Sequence, residues 1–431
     1  MSRIVTVDIK GLWGVKNIST TFHPDVNVFI GLNGSSKTTF LNLIEGALLV
    51  DIKMLSRITF KSLSIQIDNS DIFHIEVSKG SREDFQIILF TLNKSETYEI
   101  PNIELRHSYR MGAIREIIES LRSKLNASIN ISWLSVYRDR DSFQDNNENS
   151  HGLNNDFNVV DAKLRYLMQK LLMYRFQLES ELNKISDKFK EDVFSIMLYN
   201  KEYDCVDFNK FQTFQSIDSR QLKSELYRVF RKLGIVKDKK ADIDAHMGAL
   251  SAVIDKIFKR EQLGLEDLLP ISLLNRTLSL IEISKVDELA KDQVNAPINK
   301  YIKCLNQFIP DKNFEIQDGK EGLAIVVKEP LRQLMKSEIR IPLSALSSGE
   351  KQLLILLTET LLQQERNYLF IADEPELSLH IEWQRRIILS IHELNPNAQI
   401  IVATHSPEIA GLWSNRVINM SNISTTYYAT E

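Results

Sequence analysis

The chain of 431 residues is poor in the residues that mark several large protein classes. It has 2 cysteines, Cys205 and Cys304, which are far apart and form no C-x-x-C pair, so neither a disulfide framework nor a zinc site is expected. The longest apolar run, at 352–362, is too short to span a membrane and contains Glu359. The first residues, MSRIVTVDIKGLW, contain no apolar stretch of a secretory signal. These absences predict a cytoplasmic protein that spans no membrane.

An excess of positive charge is also absent. The formal net charge is −4, so no global field favours nucleic acid or a membrane surface, and any such contact needs a local patch. The 43% of hydrophobic and 26% of charged residues are ordinary for a globular protein with a sizeable core. The length allows two or three domains, or one large domain with an insertion.

The pattern of apolar residues divides the chain into three segments. Residues 1–140 are rich in short alternating strands, 141–308 have helical periodicity, and 309–431 alternate helix and strand. The helical segment starts with a seam that would suit packing against another helix, in an arm of roughly 60 Å. The seam residues are Leu164, Met168, Leu171, Leu178, Leu182, Ile185 and Phe189.

The stretch GLNGSSKTTF, residues 31–40, has the form of a phosphate-binding loop. It follows the apolar run VNVFI and precedes an apolar helix, which is the context that such a loop needs. Asn33 and Gly34 are the residues expected to adopt positive φ and turn their N–H groups inward. Ser36 stands where the pattern has glycine, and its fit depends on a negative φ. The alternative is an ordinary glycine-containing turn. The candidate nucleotide ligands are Gly31, Asn33, Gly34, Ser35, Ser36, Lys37, Thr38 and Thr39.

Two later stretches supply acids and a histidine at the ends of apolar strands. YLFIADEP ends in Asp373 and Glu374, which suit a Mg²⁺ ligand and a residue that polarises an attacking water. AQIIVATHSP ends in His405, which is suitably placed to sense a γ-phosphate. An exposed acidic turn and a structural histidine are the simpler interpretations when each stretch is taken alone.

The stretch LSSGE, residues 346–350, opens an apolar helix whose first N–H groups are free to meet an anion. A plain helix cap explains it equally well when it is taken alone. Its candidate nucleotide ligands are Ser347, Ser348, Gly349 and Glu350.

The order of phosphate loop, LSSGE, DEPELSLH and ATHS resembles ABC-type ATPases of the RecF/SMC-like class. DEPELSLHIEWQ and THSPE are similar to the ATPase subunits of two-gene anti-phage defence systems, of the Septu PtuA and PARIS AriA type, and to the overcoming-lysogenization-defect nucleases. The resemblance covers residues 1–50 and 340–420. It implies an α/β ABC-ATPase head, a P-loop NTPase fold, split by a large, mostly helical insertion at 141–308 that contains the short arm. Residues 1–140 and 309–431 would then be the two parts of the head.

The resemblance also implies roles for single residues. Thr38 and Asp373 would bind Mg²⁺, Glu374 would be the general base, and His405 the switch histidine. Ser347 and Gly349 would contact ATP held by a second subunit, in a homodimer that buries two ATP molecules or in a higher oligomer, with 376–380 crossing the interface. Ser36 and Ser348 depart from the family pattern, and the first departure predicts slow turnover. Gln66 and the turn near Arg138 are alternative glutamine-loop candidates.

Three functions remain open at this point. The chain is expected to be the sensor and scaffold ATPase of a defence complex, controlling an HNH- or Toprim-type effector nuclease in trans, because it shows no nuclease motif and little sequence follows His405. A DNA repair or recombination ATPase is the alternative, and a transporter subunit fits least because about 300 residues separate the phosphate loop from LSSGE. A basic helix at 219–233, with Arg220, Lys223, Tyr227 and Arg231 on one side, is either a solvated face or a contact for duplex DNA.

Overall fold

A computed structural model describes residues 3–69, 71–82, 85–101, 111–128, 131–134, 159–200, 218–259, 261–262, 264–316, 323–327 and 340–426. The chain divides into two compact units, Met1–Met173 with Pro297–Glu431, and Tyr174–Ala296. Each unit has its own hydrophobic core. The bounds predicted from the sequence pattern are 140/141 and 308/309, whereas the boundaries between the two units fall at 173/174 and 296/297, inside long helices. Cys205 and Arg138 lie outside the described residues.

The first unit contains a seven-stranded antiparallel sheet, whose strands follow the order β14-β2-β1-β4-β5-β6-β7. Their alternating apolar residues place one face of the sheet on the core, as in Val7 and Ile9 of the first strand. The strands are β1 (Arg3–Leu12), β2 (Lys16–Thr21), β4 (Ser62–Asn69), β5 (Asp71–Arg82), β6 (Phe85–Leu92), β7 (Glu96–Pro101) and β14 (Ser424–Thr426).

The second sheet of this unit is five-stranded and parallel, and it determines where the site lies. Its order is β13-β3-β12-β11-β8. Every residue of its central strand is buried, which is why the sequence there is continuously apolar and does not alternate. The strands are β3 (Val26–Ile30), β8 (Ile131–Leu134), β11 (Leu369–Asp373), β12 (Gln399–Ala403) and β13 (Val417–Asn419).

The helices of the first unit cover these sheets. They are α1 (Lys37–Leu49), α2 (Ile52–Arg57), α3 (Met111–Ser128), α8 (Ser348–Leu362), α9 (Ile381–Leu394), α10 (Pro407–Gly411) and α11 (Met420–Ile423). A two-stranded antiparallel pair, β9 (Lys312–Ile316) with β10 (Leu323–Val327), precedes α8. The phosphate loop and the two later motifs therefore lie in a unit with the α/β architecture that was predicted for residues 1–140 and 309–431.

The second unit is helical. It contains α5 (Ser219–Lys232), α6 (Val236–Lys259) and most of two long helices, α4 (Val159–Ser195) and α7 (Leu268–Phe308). The predicted arm helix is confirmed as α4, and Leu164, Leu171 and Phe189 of its seam are buried. The Asp218 side chain caps the start of α5, and Gly234, with a φ of 78°, follows its end.

Helix α8 is held by both long helices within the first unit. Lys351 pairs with Asp161 at 2.8 Å and Glu359 pairs with Lys163 at 2.9 Å, which ties α8 to the start of α4. The buried Tyr301 hydroxyl lies 2.7 Å from that of Thr358, which ties α8 to the end of α7. Among the described residues, no helix is both long and apolar enough to cross a membrane.

Candidate functional site

Three loops meet at one edge of the parallel sheet. They follow β3, β12 and β11, which are adjacent in the order β3-β12-β11. Parallel strands place their carboxyl ends at the same edge, so the loops at 31–36, 404–406 and 374–380 become neighbours although about 340 residues separate the first from the others. The Thr404 N–H donates to the Phe29 carbonyl at 3.0 Å and the Glu374 N–H to the Ala403 carbonyl at 2.8 Å. The structure thus brings the phosphate loop, the acids after β11 and the histidine loop after β12 together.

The phosphate loop leads directly into α1. Gly34 has a φ of 79° and Ser36 has a φ of 75°, whereas Asn33 does not have a positive φ. The expectation that Asn33 would share the left-handed conformation with Gly34 was wrong, and Ser36 does not have the negative φ on which its fit was expected to depend. Ser36 is the residue that turns the chain into the helix, and glycine suits that position because it adopts positive φ without a steric penalty.

Gly31 is needed because the loop closes tightly on it. A β-carbon at residue 31 would lie 2.7 Å from the Ser35 hydroxyl oxygen and 3.3 Å from the Met420 β-carbon. That hydroxyl is buried and has no hydrogen-bond partner among the residues the structure describes. The backbone turn is closed by the Ser35 N–H, which donates to the Leu32 carbonyl at 3.1 Å.

Lys37 lies between the phosphate loop and the acids that follow β11. Its side chain is buried, and its Nζ donates to the carbonyls of Gly31 at 2.9 Å and Leu32 at 3.4 Å. Burial lowers the pKa of the ammonium, and the negative charges of three carboxylates at the end of β11 oppose that shift. These carboxylates are Glu374, Asp373 and Glu376. Among the described residues, the hydrogen bonds of the buried Lys37 ammonium go to backbone carbonyls, with acids nearby, which suits a lysine that binds an anionic ligand.

Glu374 and His405 face each other across neighbouring loops. The His405 Nε2 lies 3.9 Å from a Glu374 carboxylate oxygen, and both side chains are partly exposed. Glu374 has a φ of 50°, which is uncommon for a residue with a β-carbon. Such strain persists where the surrounding contacts fix the backbone, here the hydrogen bond to Ala403. Thr38 and Thr39, both half-buried, occupy the first turn of α1 beside this pair of loops.

The LSSGE motif forms a helix cap. The Ser347 hydroxyl accepts from the Glu350 N–H, and the Glu350 carboxylate accepts from the Ser347 N–H at 2.8 Å, a reciprocal capping box. The other Glu350 oxygen pairs with Lys312. Although burial raises the pKa of Glu350, the hydrogen bonds from Lys312 and Ser347 bring it below its usual value. The Glu350 carboxylate thus orders the motif from within, while Ser347 and Ser348 are exposed.

The motif packs against the loop that follows β11. A β-carbon at Gly349 would lie 2.4 Å from the Ser378 carbonyl oxygen, and the Gln352 side-chain amide donates to the Pro375 carbonyl at 3.0 Å. No hydrogen bond joins 347–350 to 31–38 among the described parts of the chain. The structure therefore does not bring this motif to the phosphate loop of its own chain.

The sequence interpretation missed Glu376 and Gln352, which connect these loops. Glu376 was considered only as part of the crossing segment 376–380, yet its carboxylate is buried beside the histidine loop. Asp373 and Glu374 form a recognisable pair of acids at the end of a strand, and Glu376 stands outside that pattern. Gln66, one candidate for the glutamine loop, lies in β4 and accepts from the Thr6 hydroxyl at 3.2 Å. The Arg138 candidate falls outside the described residues.

The basic helix α5 is amphipathic, with a buried apolar side and a polar side that is partly paired within the unit. Leu222, Leu226 and Val229 are buried. On its polar side, Lys223 pairs with Asp244 at 2.7 Å and the Tyr227 hydroxyl donates to the same carboxylate. Two of the four predicted phosphate contacts are therefore engaged within the unit. The other two, Arg220 and Arg231, are exposed.

Residues of the phosphate loop and of β11 have the chemistry that a nucleotide and Mg²⁺ require. Mg²⁺ in nucleotide sites takes one or two protein oxygens together with phosphate oxygens and water. Thr38 and Asp373 offer a hydroxyl and a carboxylate, and a buried Glu376 oxygen lacks a donor among the described residues. Within those same residues, no group of three or more His, Cys, Asp or Glu side chains is arranged to hold a metal by itself. The donor set therefore fits a metal that arrives with a nucleotide.

A strand, a lysine-containing loop and a helix, with acids on a nearby parallel strand, define a P-loop ATPase head of the ABC type, carrying a helical insertion. The comparison with known families agrees: the AAA_15 family, described as AAA ATPase domain, matches residues 3–410. The chain belongs to this family of ATPases.

Individual relatives are distant. The Retron Ec83 probable ATPase of Escherichia coli is 28% identical over 134 residues, which cover 28% of this chain and 24% of that protein. The chain thus matches only about a quarter of the length of that curated relative. Among solved structures, the Smc head domain of Pyrococcus furiosus with an extended coiled coil, bound to the C-terminal domain of ScpA, has a TM-score of 0.42 at 16% identity, covering 99% of this chain and 96% of that one. An SmcHead bound to the C-winged helix domain of ScpA has a TM-score of 0.41 at 14% identity, covering 98% and 96%.

Proposed function

We propose that the chain is a slowly hydrolysing ATPase that closes as a head dimer and serves as sensor and scaffold of an anti-phage defence complex, controlling a separate effector nuclease. The observation that carries the proposal is the convergence of Lys37, Glu374 and His405 at one sheet edge. A buried lysine, an acid poised for water and a histidine within 3.9 Å of that acid are the parts that phosphoryl transfer to water needs.

Each residue of the site has a role in this proposal. The N–H groups of 33–38 and the start of α1 would hold the phosphates, and the Lys37 ammonium would lie between the β- and γ-phosphates. Thr38 and Asp373 would hold Mg²⁺, which supplies charge neutralisation on the phosphates when it is bound. Glu374 would take a proton from the attacking water, and His405 would donate a hydrogen bond to the γ-phosphate.

A second copy of the chain would complete the site. Ser347 and Ser348 are exposed and make no hydrogen bond to the phosphate loop of their own chain among the described residues. Leu32 in the phosphate loop is 84% exposed and Leu377 in the crossing loop is 45% exposed, and a second copy docked over the nucleotide would cover both. We infer a two-fold head dimer in which LSSGE of one subunit meets the γ-phosphate held by the other.

The defence role rests on the similarity to a retron ATPase. In this role, cleavage would fall to an HNH- or Toprim-type partner in trans. A cytoplasmic location follows from such a role. The exposed Arg220 and Arg231 favour a second candidate, a DNA repair or recombination ATPase that contacts duplex DNA directly.

Steady-state ATP turnover tests the proposal, with Glu374→Gln as the blank. We expect slow turnover above that blank, little change on adding duplex DNA, and an ATP-dependent dimer of Glu374→Gln by light scattering that Ser347→Arg abolishes. Turnover equal to the blank would reject the ATPase. Strong stimulation by DNA would favour the repair candidate. Phage plating with the chain alone and with its neighbouring gene then tests the effector, since a requirement for both genes is expected.

A further inference from the structure

Glu376 connects the loop after β11 to the loop that carries His405. Its side chain is 8% exposed, and one carboxylate oxygen, Oε1, accepts three hydrogen bonds from consecutive residues. The donors are the Thr404 hydroxyl, the His405 N–H at 3.0 Å and the Ser406 N–H at 3.3 Å. A buried carboxylate that collects two successive backbone N–H groups fixes the path of that backbone, because charge-assisted hydrogen bonds are stronger than neutral ones.

The histidine loop has further contacts that depend on the same arrangement. The Thr404 hydroxyl accepts from the Ser406 N–H at 2.8 Å, and the Ser406 hydroxyl donates to the Gln384 side chain at 2.7 Å. Because the backbone of 404–406 is thereby fixed at each residue, the direction in which the His405 imidazole leaves the chain is set by contacts of Glu376 and Thr404. Within the described part of the chain, the imidazole itself has only the 3.9 Å approach to Glu374.

Glu376 also reaches the nucleotide side of the site. Its charge acts on the Lys37 ammonium, together with those of Asp373 and Glu374. The loop that holds Glu376 is tied to α8 through the Gln352 amide and the Pro375 carbonyl, at 3.0 Å. One residue therefore touches the histidine loop, lies in the field of the phosphate-loop lysine, and sits in a segment bonded to the helix that follows LSSGE.

We propose that Glu376 is a positioning residue for ATP hydrolysis: it holds the backbone of 404–406 so that the His405 imidazole stays aimed at the Glu374 carboxylate and the γ-phosphate. This inference rests on the proposed ATPase function and assigns a second task to the acidic motif. Asp373 and Glu374 act on the nucleotide, whereas Glu376 acts through His405.

The test compares Glu376→Ala and Glu376→Gln in wild-type and His405→Ala backgrounds. Glutamine keeps an acceptor oxygen, so Glu376→Gln should retain kcat within about threefold, whereas Glu376→Ala should lower kcat about tenfold or more and leave KM for ATP within about twofold. In the His405→Ala background, Glu376→Ala should cost almost nothing further, because residues that act through one another are not additive. Thr404→Val, which removes one donor, should show a smaller loss in the same direction. Glu382→Ala, at an exposed carboxylate on α9, is the matched control and should leave turnover unchanged.

Hydrogen exchange supplies a measurement that does not depend on turnover. Amides of residues 405 and 406 should exchange faster in Glu376→Ala than in Glu376→Gln, while those of β12 stay protected. An equal loss of kcat in both backgrounds, or a kcat unchanged in Glu376→Ala, would overturn the positioning role while leaving the ATPase intact. A wild-type chain with no turnover above Glu374→Gln would instead reject the ATPase and the positioning role together.

Discussion

The α-carbon of Gly349 rests directly on the carbonyl of Ser378, so closely that a β-carbon at residue 349 would lie 2.4 Å from that oxygen. Because Ser378 itself has a φ of 70°, its backbone has little freedom to move away. The glycine of LSSGE is therefore required by its own chain, independently of any contact with a nucleotide across a dimer.

Replacing Gly349 with alanine should force the loop after β11 away from α8. We expect a loss of about 1–3 kcal/mol in the free energy of unfolding, as for other overpacked sites. ATP turnover should fall while nucleotide binding persists, because the phosphate loop lies elsewhere. Urea denaturation and equilibrium nucleotide titration measure the two effects. Gly112→Ala is the control: Gly112 is exposed in α3 of the same unit and has no atom within 4 Å of an added β-carbon. A Gly349→Ala chain as stable as this control would contradict the prediction.

Replacing Ser36 with glycine should relieve the strained start of α1. Serine at a φ of 75° is strained by its β-carbon and glycine is not, so we expect Ser36→Gly to raise the free energy of unfolding by about 1 kcal/mol. Faster ATP turnover is also expected, since the loop approaches the phosphates without a β-carbon. The reverse change, Gly34→Ala at a φ of 79°, should destabilise by a similar amount although nothing lies within 4 Å of the added atom. Slower turnover in Ser36→Gly would count against the role assigned to this serine.

Replacing Lys163 with methionine should leave Glu359 of α8 buried without its nearest cation. Burial already raises the pKa of Glu359 above its usual value of 4.5, with Lys163 opposing. The native state then binds more protons than the unfolded state, so stability falls as pH rises through the raised pKa. We expect Lys163→Met to cost about 3 kcal/mol near pH 8 and little near pH 4.5. Adding Glu359→Leu should restore most of the loss at pH 8, and a cost that does not change with pH would exclude this explanation.

Replacing Asp25 with asparagine should weaken the edge of the parallel sheet at β13. Burial raises the pKa of Asp25, but hydrogen bonds from Arg416, at 2.9 and 3.1 Å, bring it below its usual value of 3.8. A carboxylate with a lowered pKa stabilises the fold above about pH 4 and loses that contribution as pH falls through the lowered pKa. We expect a difference of about 1 kcal/mol at pH 7 between the wild type and Asp25→Asn. The two chains should converge below pH 4 in denaturation curves.

Reversing the charges of Arg220 and Arg231 tests whether α5 contacts duplex DNA. If both contact phosphates, the slope of log affinity against log salt should fall by about 2, since each phosphate contact contributes about 0.9. Fluorescence anisotropy at several salt concentrations measures this slope. The same double reversal at Arg57 and Arg115, exposed residues of the other unit, controls for net charge. Equal slopes for both double variants would limit α5 to a solvated face.

The sequence predicted the parallel strands, the loop that follows β3 and the long helix α4, because continuous apolar runs and helical seams are local signals. It could not predict that Ser36 adopts a positive φ. Serine stands where the pattern has glycine, yet the fold imposes the same turn on either residue, so the residue type does not reveal the conformation. Nor could it predict the contacts of Glu376, whose partners at 404–406 lie in the loop after the neighbouring strand β12, nearly 30 residues later. The capping box of Ser347 and Glu350 was visible as a pattern, but the pairing with Lys312 required the fold.

The order of strands in the parallel sheet has a consequence for synthesis of the chain. Strand β3, at Val26–Ile30, is flanked by β12 and β13, which begin at Gln399 and Val417 and leave the ribosome much later, and β14 pairs with the early β2. Pairings between such distant segments form slowly, because the entropy of closing a long loop is lost before the contacts between the strands stabilise the chain. The phosphate loop is therefore translated long before the strands that flank it. A chain stalled before residue 373 would carry the loop without the acids and could not act on ATP.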